Sequence, residues 1–394
     1  MKKILMASAV SAIAATSAFA DGDVKIGVLF GFTGPLESIT PGMGTSAELA
    51  IKEVSDSGMF MDGMTVTPVR GDSTCIDAGA ATAAAERLIT SDGVKAIVGA
   101  ACSGVTGAVL SNVAVPNGIV MISPSATSPG LTSAEDNGLF FRTAPSDARQ
   151  GQVMAEILME QDVNEIAISY VNNDYGKGLA DALQESFTAA GGTVTINTAH
   201  EDQKADYSAE VGALASAGGE RLVVVGYVDG GGSGIVRAAL DSGAFDLFHF
   251  PDGMVANALE GNFGSELDGS TGQLPGTDSP GSDKFVELVG DSFDPSGPFG
   301  PESYDAAALI LLAMQKAGSV ESADFKDHIM DIANAPGEPI YPGELGKALE
   351  LIKAGTDIDY VGASAVEFIE PGESAGNYRQ IVIEGGKITT EKFR

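Results

Sequence analysis

The chain has 394 residues, with 54 acidic against 22 basic side chains and a formal charge of −32. Such an excess repels polyanions, which excludes nucleic acid and anionic lipid surfaces as partners. Tryptophan is absent, so the commonest sugar-stacking side chain is missing as well.

Residues 1–20 open on Met1-Lys2-Lys3, continue through an alanine-rich apolar stretch and close on Ala18-Phe19-Ala20. A basic start, a short apolar run and an A-x-A cleavage site read as a secretory signal. Its removal leaves 374 residues (394 − 20) and, with Lys2 and Lys3 gone, a charge of −34 (−32 − 2). A lipid-anchored form needs a cysteine at the cleavage site, but the first cysteine is Cys75. A soluble periplasmic protein is therefore expected. Beyond residue 20 no apolar run reaches the roughly 20 residues of a membrane-spanning helix. The mature length suits two domains, each with its own core.

Val24–Phe30 is β-rich and is followed by the turn Gly31-Phe32-Thr33-Gly34-Pro35 and a helical pattern over Thr45–Ser55. Strands over Thr65–Arg70, Ala96–Val98 and Ile119–Ile122 then alternate with helices over Ala78–Thr90 and Val105–Val113. After Phe141-Arg142-Thr143 a second series begins, with helices over 149–161, 176–190, 208–217 and 234–242. Its strands fall at 165–170, 193–198, 221–227 and 247–250. This alternation predicts an α/β protein of two doubly wound parallel-sheet lobes. Gly269–Asp283 is rich in Gly, Pro, Ser and Asp and reads as a connector between the lobes. Helical periodicity returns over 283–289, 301–316 and 322–334, and 361–388 reads as strands and turns.

Cys75 and Cys102 both lie in the exported part. An even pair in an oxidising compartment favours a disulfide, since neither has a histidine or second cysteine at metal-ligand spacing. It would tie two strand-end loops together. His200, His249 and His328 are scattered and form no zinc motif. No G-x-S-x-G elbow is present. Gly230-Gly231-Gly232-Ser233-Gly234 lacks a Walker lysine and dinucleotide spacing, and reads as a flexible loop between lobes. No catalytic, metal or cofactor site is expected, so an enzyme is disfavoured.

In open parallel sheets, ligands bind beyond the carboxyl ends of the strands. Ser103, after the strand at 96–98, is placed to hold a carboxylate or to cap the helix that follows. The turn Ser123-Pro124-Ser125-Ala126-Thr127-Ser128-Pro129 offers hydroxyls and backbone groups at the next strand end.

These segments resemble the periplasmic branched-chain amino-acid binding proteins, the leucine/isoleucine/valine-type receptors of ABC importers with the type I periplasmic-binding fold. The resemblance rests on Ile26-Gly27-Val28 with Thr33-Gly34-Pro35, Gly99–Ser103, Ile122–Thr127, Asn173-Asp174-Tyr175-Gly176-Lys177-Gly178, Gly226-Tyr227, Pro251-Asp252-Gly253 and Asp294-Pro295-Ser296-Gly297-Pro298. It covers essentially the whole mature chain, and a Cys75–Cys102 disulfide has its counterpart in that family. The resemblance implies a multi-strand hinge between a lobe of residues 21–143 plus 277–378 and one of 144–276 plus 379–394.

It also implies site roles. Ser103 and Thr127 would grip the ligand α-carboxylate; the Ser125 carbonyl, the Thr127 hydroxyl and Asp252 would accept from the α-ammonium; and Ala126 lies within this loop. Tyr175 and Tyr227 would close over the ligand from the second lobe, the competing reading being lobe packing. Asp252 could instead be a turn former. The family usually carries glutamate at the Asp252 position, and Glu37-Ser38-Ile39-Thr40 replaces an aromatic wall, so the side-chain preference is left open, with a γ-amino acid among the options. Phe32, Ile39, Phe299 and Tyr304 are candidates for the pocket wall. The implied function is capture of an amino acid by a monomer and its delivery to an inner-membrane ABC permease. The alternatives are an amide, urea or aromatic carboxylate as ligand, or a ligand sensor on the same fold.

Overall fold

The computed structural model describes residues 22–394; the expected signal segment, 1–20, lies outside the described residues. Five strands open the first sheet: β1 Asp23–Phe30, β2 Thr65–Asp72, β3 Ala96–Gly99, β4 Met121–Ser123 and β5 Phe140–Pro145. The second sheet is built from β6 Glu165–Val171, β7 Thr193–His200, β8 Arg221–Val225, β9 Phe248–Phe250 and β10 Thr271–Pro275. A two-stranded pair follows, β11 Glu338–Ile340 with β12 Ile358–Tyr360. The short strands β13 Phe368–Ile369 and β14 Glu373–Ser374 return to the first sheet, and β15 Tyr378–Glu384 and β16 Lys387–Phe393 to the second.

The orders are β13-β14-β5-β4-β3-β1-β2 and β16-β15-β10-β9-β8-β6-β7. Both sheets are parallel through their centres and antiparallel at one edge, where β13 meets β14 and where β15 meets β10 and β16. Every residue of β3, β4, β5, β9 and β10 is buried. Helices cover both faces, which explains why most of these strands read as continuous apolar runs. The chain passes between the sheets three times, after β5, after β10 and between β14 and β15. The helix Gly300–Ala317, buried over most of its length, packs against the helix Thr40–Ser57. Its buried Asp305 accepts from the Tyr360 hydroxyl at 2.7 Å and from the Ala363 and Ser364 amides at 2.7 and 2.8 Å. Those bonds pin the segment leading back to β13. Among the described residues no helix is long and apolar enough to cross a membrane.

Three sequence expectations need correction. Gly269–Asp283 is not only a connector, because it contains the buried central strand β10. That strand looks polar because Thr271 and Gln273 are partnered internally, their side chains lying 2.9 and 2.8 Å from the two ring nitrogens of His249. The glycine run at 230–234 is not a flexible loop; Gly231–Ser242 is a helix. A Cβ on Gly232 would stand 2.4 Å from Met254 Sδ, and one on Gly234 2.3 Å from the Tyr207 ring, so these glycines serve close packing. The helix expected over 322–334 is broken into Ser322–Phe325, Lys326–His328 and Ile329–Ala333.

Cys75 and Cys102 are bonded, with Cα atoms 5.2 Å apart. They follow β2 and β3, so the bridge crosses over the end of β1, which lies between those strands. Replacing both by serine releases a loop with a sequence separation of 27. Chain entropy predicts a loss of about 3 to 4 kcal/mol in unfolding free energy, measured by urea denaturation. Superimposable denaturation curves would contradict this.

Candidate functional site

The strand order of each sheet reverses beside its first strand, between β3 and β1 in one and β8 and β6 in the other. Loops leaving such a switch point diverge and open a crevice. The two crevices face each other. Leu36, Ala101, Cys102, Ser103, Ser125 and Phe299 line the first side of a cavity, and Tyr175, Tyr227, Asp252 and Gly253 line the second. The void is about 20 Å³. That is room for a water molecule, so anything larger enters only if the facing loops part. Across the cleft the Ser38 amide donates to Asp229 Oδ2 at 2.8 Å, and the Asp229 amide to the Pro35 carbonyl at 3.2 Å.

Ser103 opens the helix Ser103–Val109 but does not cap it; its hydroxyl accepts from the Ser128 amide at 3.1 Å. The Ser123 hydroxyl folds the next loop, accepting from the Ala126 amide at 2.9 Å, and the Ser125 hydroxyl donates to the Ala101 carbonyl at 2.9 Å. Among the described residues no hydrogen bond uses the Ser125 carbonyl or the Thr127 amide, and the buried Thr127 hydroxyl has the Asp147 carboxyl group as its one neighbouring acceptor. These are the groups the resemblance assigns to a ligand. Ala126 and Thr127 do not border the void itself. Gly99, at φ +136°, brings β3 so near β1 that a Cβ would stand 2.2 Å from the Leu29 carbonyl oxygen. Its freedom from steric restriction lets the Ala101–Ser103 turn form there.

On the opposite side the Tyr175 and Tyr227 rings stack, with centroids 5.3 Å apart. The Tyr175 hydroxyl donates to Asp252 Oδ1 at 2.5 Å, and Tyr227 accepts from Asn173 Nδ2 at 3.2 Å. Asp252, 1% exposed, also receives the Gly253 amide on Oδ1 at 2.8 Å and Gln150 Nε2 on Oδ2 at 3.1 Å. The same Gln150 nitrogen donates to Asp147 Oδ1 at 2.7 Å, while Asp147 Oδ2 is buried without a partner. Two carboxyl groups thus share one amide. Burial raises the affinity of both for a proton, opposed at Asp252 by its donors; at Asp147 the charge of Asp252 strengthens the effect, and the Thr127 hydroxyl, the Arg142 charge and Gln150 oppose it. Asp147 is the one driven further toward the neutral acid. The network continues through Gln273 Nε2, which donates to Gln150 Oε1 at 3.1 Å, and on to His249. Burial keeps His249 neutral, its ring depressed to about 3.

Sequence reasoning did not find Asp147, Gln150 or Gln273, nor Arg142, which is 1% exposed at the centre of β5. Arg142 donates to the Ala126 and Ser128 carbonyls at 3.1 and 2.9 Å, to the Thr132 hydroxyl at 2.6 Å and to Glu373 at 2.5 Å. It therefore holds the Thr127 loop from beneath. One signal was available: a single charge inside the apolar run Phe140–Pro145. Of the suggested wall residues only Phe299 borders the void. Phe32 lies under the Arg70 guanidinium, Tyr304 bonds to Glu53 at 2.5 Å, and Ile39 lines a neighbouring crevice. Among the described residues no cluster of His, Cys, Asp and Glu could hold a metal ion.

A family model described as "Periplasmic binding protein" matches residues 23–340. The chain is 31% identical over 363 residues to Leu/Ile/Val-binding protein homolog 1 of Brucella suis, covering 87% of this chain and 95% of that protein. Its fold is similar to that of the branched-chain amino acid transporter substrate binding protein LivJ from Streptococcus pneumoniae in complex with isoleucine. There the TM-score is 0.77 at 21% identity, over 94% of this chain and 99% of that one. It is also similar to a solute binding protein of an ABC transporter from R. palustris in complex with benzoate, with a TM-score of 0.72 at 18% identity over 94% and 96% of the two chains.

Two outcomes follow from the buried charges. Arg142→Met leaves Glu373 buried and unpaired, and is expected to lower unfolding free energy by about 3 to 5 kcal/mol. Amide exchange should accelerate first at Ala126 and Ser128, whose amides are held by the Ser123 and Ser103 hydroxyls. For Asp147 the native carboxyl binds its proton more tightly than the unfolded one, so stability is greatest at low pH and declines as pH rises from the unfolded value through the native one. Asp147→Asn removes that decline; urea denaturation between pH 4 and 8 should show a flatter profile and a neutral-pH stability no lower than that of the parent.

Proposed function

The chain belongs to the periplasmic binding protein family, and on that premise we propose that it captures an amino acid between its two lobes and delivers it to the membrane permease of an ABC importer. Asp252 carries this reading: a buried carboxyl group at the cavity wall, across from the carboxylate-binding candidate Ser103. A zwitterion matches that polarity. Its carboxylate meets the Ser103 hydroxyl and the Thr127 amide and hydroxyl. Its ammonium meets Asp252 and the Ser125 carbonyl, and Tyr175 and Tyr227 cover it from the second lobe. Charge-assisted hydrogen bonds contribute roughly 1.5 to 3 kcal/mol each, and a micromolar receptor needs only about −8 kcal/mol in total.

In this reading residues 21–143 with 277–378 form one lobe and 144–276 with 379–394 the other. Residues 1–20 are removed on export, and the protein works in the periplasm as a monomer without a cofactor. Ligand entry separates the facing loops, and closure presents one shape to the permease. The names of its relatives support a branched-chain amino acid as ligand.

A second reading, an aromatic carboxylate or an amide as ligand, draws support from Asp252 itself. Tyr175, Gln150 and Gly253 already donate to it, so its carboxyl group is solvated without an ammonium. Thermal unfolding of ligand-free mature protein against leucine, isoleucine, valine, γ-aminobutyrate, acetamide and benzoate separates the two. Binding raises the melting temperature by mass action, and an amino acid is expected to do so. Asp252→Ala should weaken that binding roughly tenfold to a hundredfold. A shift with benzoate or acetamide alone, unchanged in Asp252→Ala, would establish the second reading instead.

A further inference from the structure

A second cavity, about 190 Å³, lies beside the crossing from β10 to the helix Pro280–Val289. Leu274, Phe285, Val286, Phe299 and Phe393 form its apolar wall. Phe299 borders both this space and the cleft. Val286 and Phe393, 51% and 38% exposed, mark its mouth.

Two polar side chains at this cavity lack partners suited to them. Glu302, in the first turn of the helix Gly300–Ala317, is 2% exposed, and its Oε2 has no hydrogen-bond partner. Arg379, from β15, makes one side-chain hydrogen bond among the described residues, from Nη2 to the Ser296 carbonyl at 3.2 Å, and no ion pair. A guanidinium has five N–H donors, so most of its capacity is uncommitted. Burial pushes the Glu302 carboxyl up to about 8, with Asp305 on the same helix adding to the shift and Arg379 opposing it. At neutral pH it is therefore a neutral acid whose O–H can donate. The helix behind it is 18 residues long and has no side-chain cap, so its N-terminal end adds a positive partial charge. Asp294 lies near Arg379 on the preceding loop, and the other lining residues carry no charge.

We propose that this cavity is a second ligand site, separate from the cleft, which takes a small monocarboxylate with an apolar body and holds its carboxylate between the Arg379 guanidinium and the Glu302 carboxyl group. The arrangement supplies a charge, a neutral donor and a helix terminus at one end and hydrocarbon at the other. A cavity of about 150 Å³ accommodates benzene, so this one suits six to nine heavy atoms, roughly. Because Arg379 belongs to the second sheet and Glu302 to a helix on the first, the bound carboxylate bridges the two units beside a chain crossing.

Hexanoate is the probe. Isothermal titration into the purified protein at pH 7 is expected to give saturable one-to-one binding that survives Asp252→Ala, a change confined to the cleft wall. Because Glu302 must keep its proton, affinity should fall about tenfold between pH 7 and pH 9. Glu302→Gln, a permanently neutral donor, should bind at pH 7 and lose that pH dependence. Arg379→Gln should weaken hexanoate at least tenfold while amino-acid or benzoate binding in the cleft is unchanged. The proposal is overturned if hexanoate shows no saturable binding to folded protein at millimolar concentration. Binding that Asp252→Ala abolishes, or that neither Arg379→Gln nor pH affects, would overturn it equally.

Discussion

Burying the Arg142 guanidinium is the constraint on which the cleft depends. A charge at the centre of a parallel sheet is tolerated only when its donors are satisfied, and here the acceptors come from distant parts of the chain. Two carbonyls and a hydroxyl belong to the loop after β4, and Glu373 belongs to a strand that returns to this sheet after the chain has passed through β6–β10 of the other. The requirement to satisfy one arginine therefore fixes the shape of the Ser125–Ser128 loop and docks the returning segment. Because those carbonyls turn inward toward Arg142, the Thr127 amide and the Ser125 carbonyl are left uncommitted. The loop's polarity toward the cleft follows from the charge beneath it.

The opposite wall is organised by the same physics with the sign reversed. Asp252 is buried without a cation beside it and Asp147 with only the charge of Arg142 to oppose it, and low polarity there drives both toward the neutral acid. Gln150 relieves the conflict by donating to both carboxyl groups from one nitrogen, and Gln273 and His249 extend the donors behind it. A site that holds excess proton affinity in its wall is suited to receive a cation, since an ammonium does for Asp252 what a proton otherwise must.

The alternation of strand and helix was legible in the sequence because each strand in a doubly wound sheet is a short apolar run and each helix an amphipathic one. Ser103, Ser125, Tyr175, Tyr227 and Asp252 were legible too, since all five lie at strand ends in recognisable motifs and all five line one void. The strand β10 was hidden because its polar side chains find their partners on His249, 22 residues away in sequence from Thr271. The run at 230–234 misled for the opposite reason: glycines chosen for close packing against Met254 and Tyr207 look the same in a sequence as glycines chosen for freedom.

What the sequence determined by itself was local: the period of each element, the strand-end position of the candidate residues and the pairing of its two cysteines, each set by neighbours within a few residues or by there being only two of a kind. Tertiary structure alone decided which distant carboxyl groups share the Gln150 amide, which face of the Thr127 loop is committed, and that Phe299 borders two cavities. Hydrogen bonds and burial energies depend on distances between residues far apart in the chain, 231 positions for Arg142 and Glu373, and no local pattern encodes such a distance.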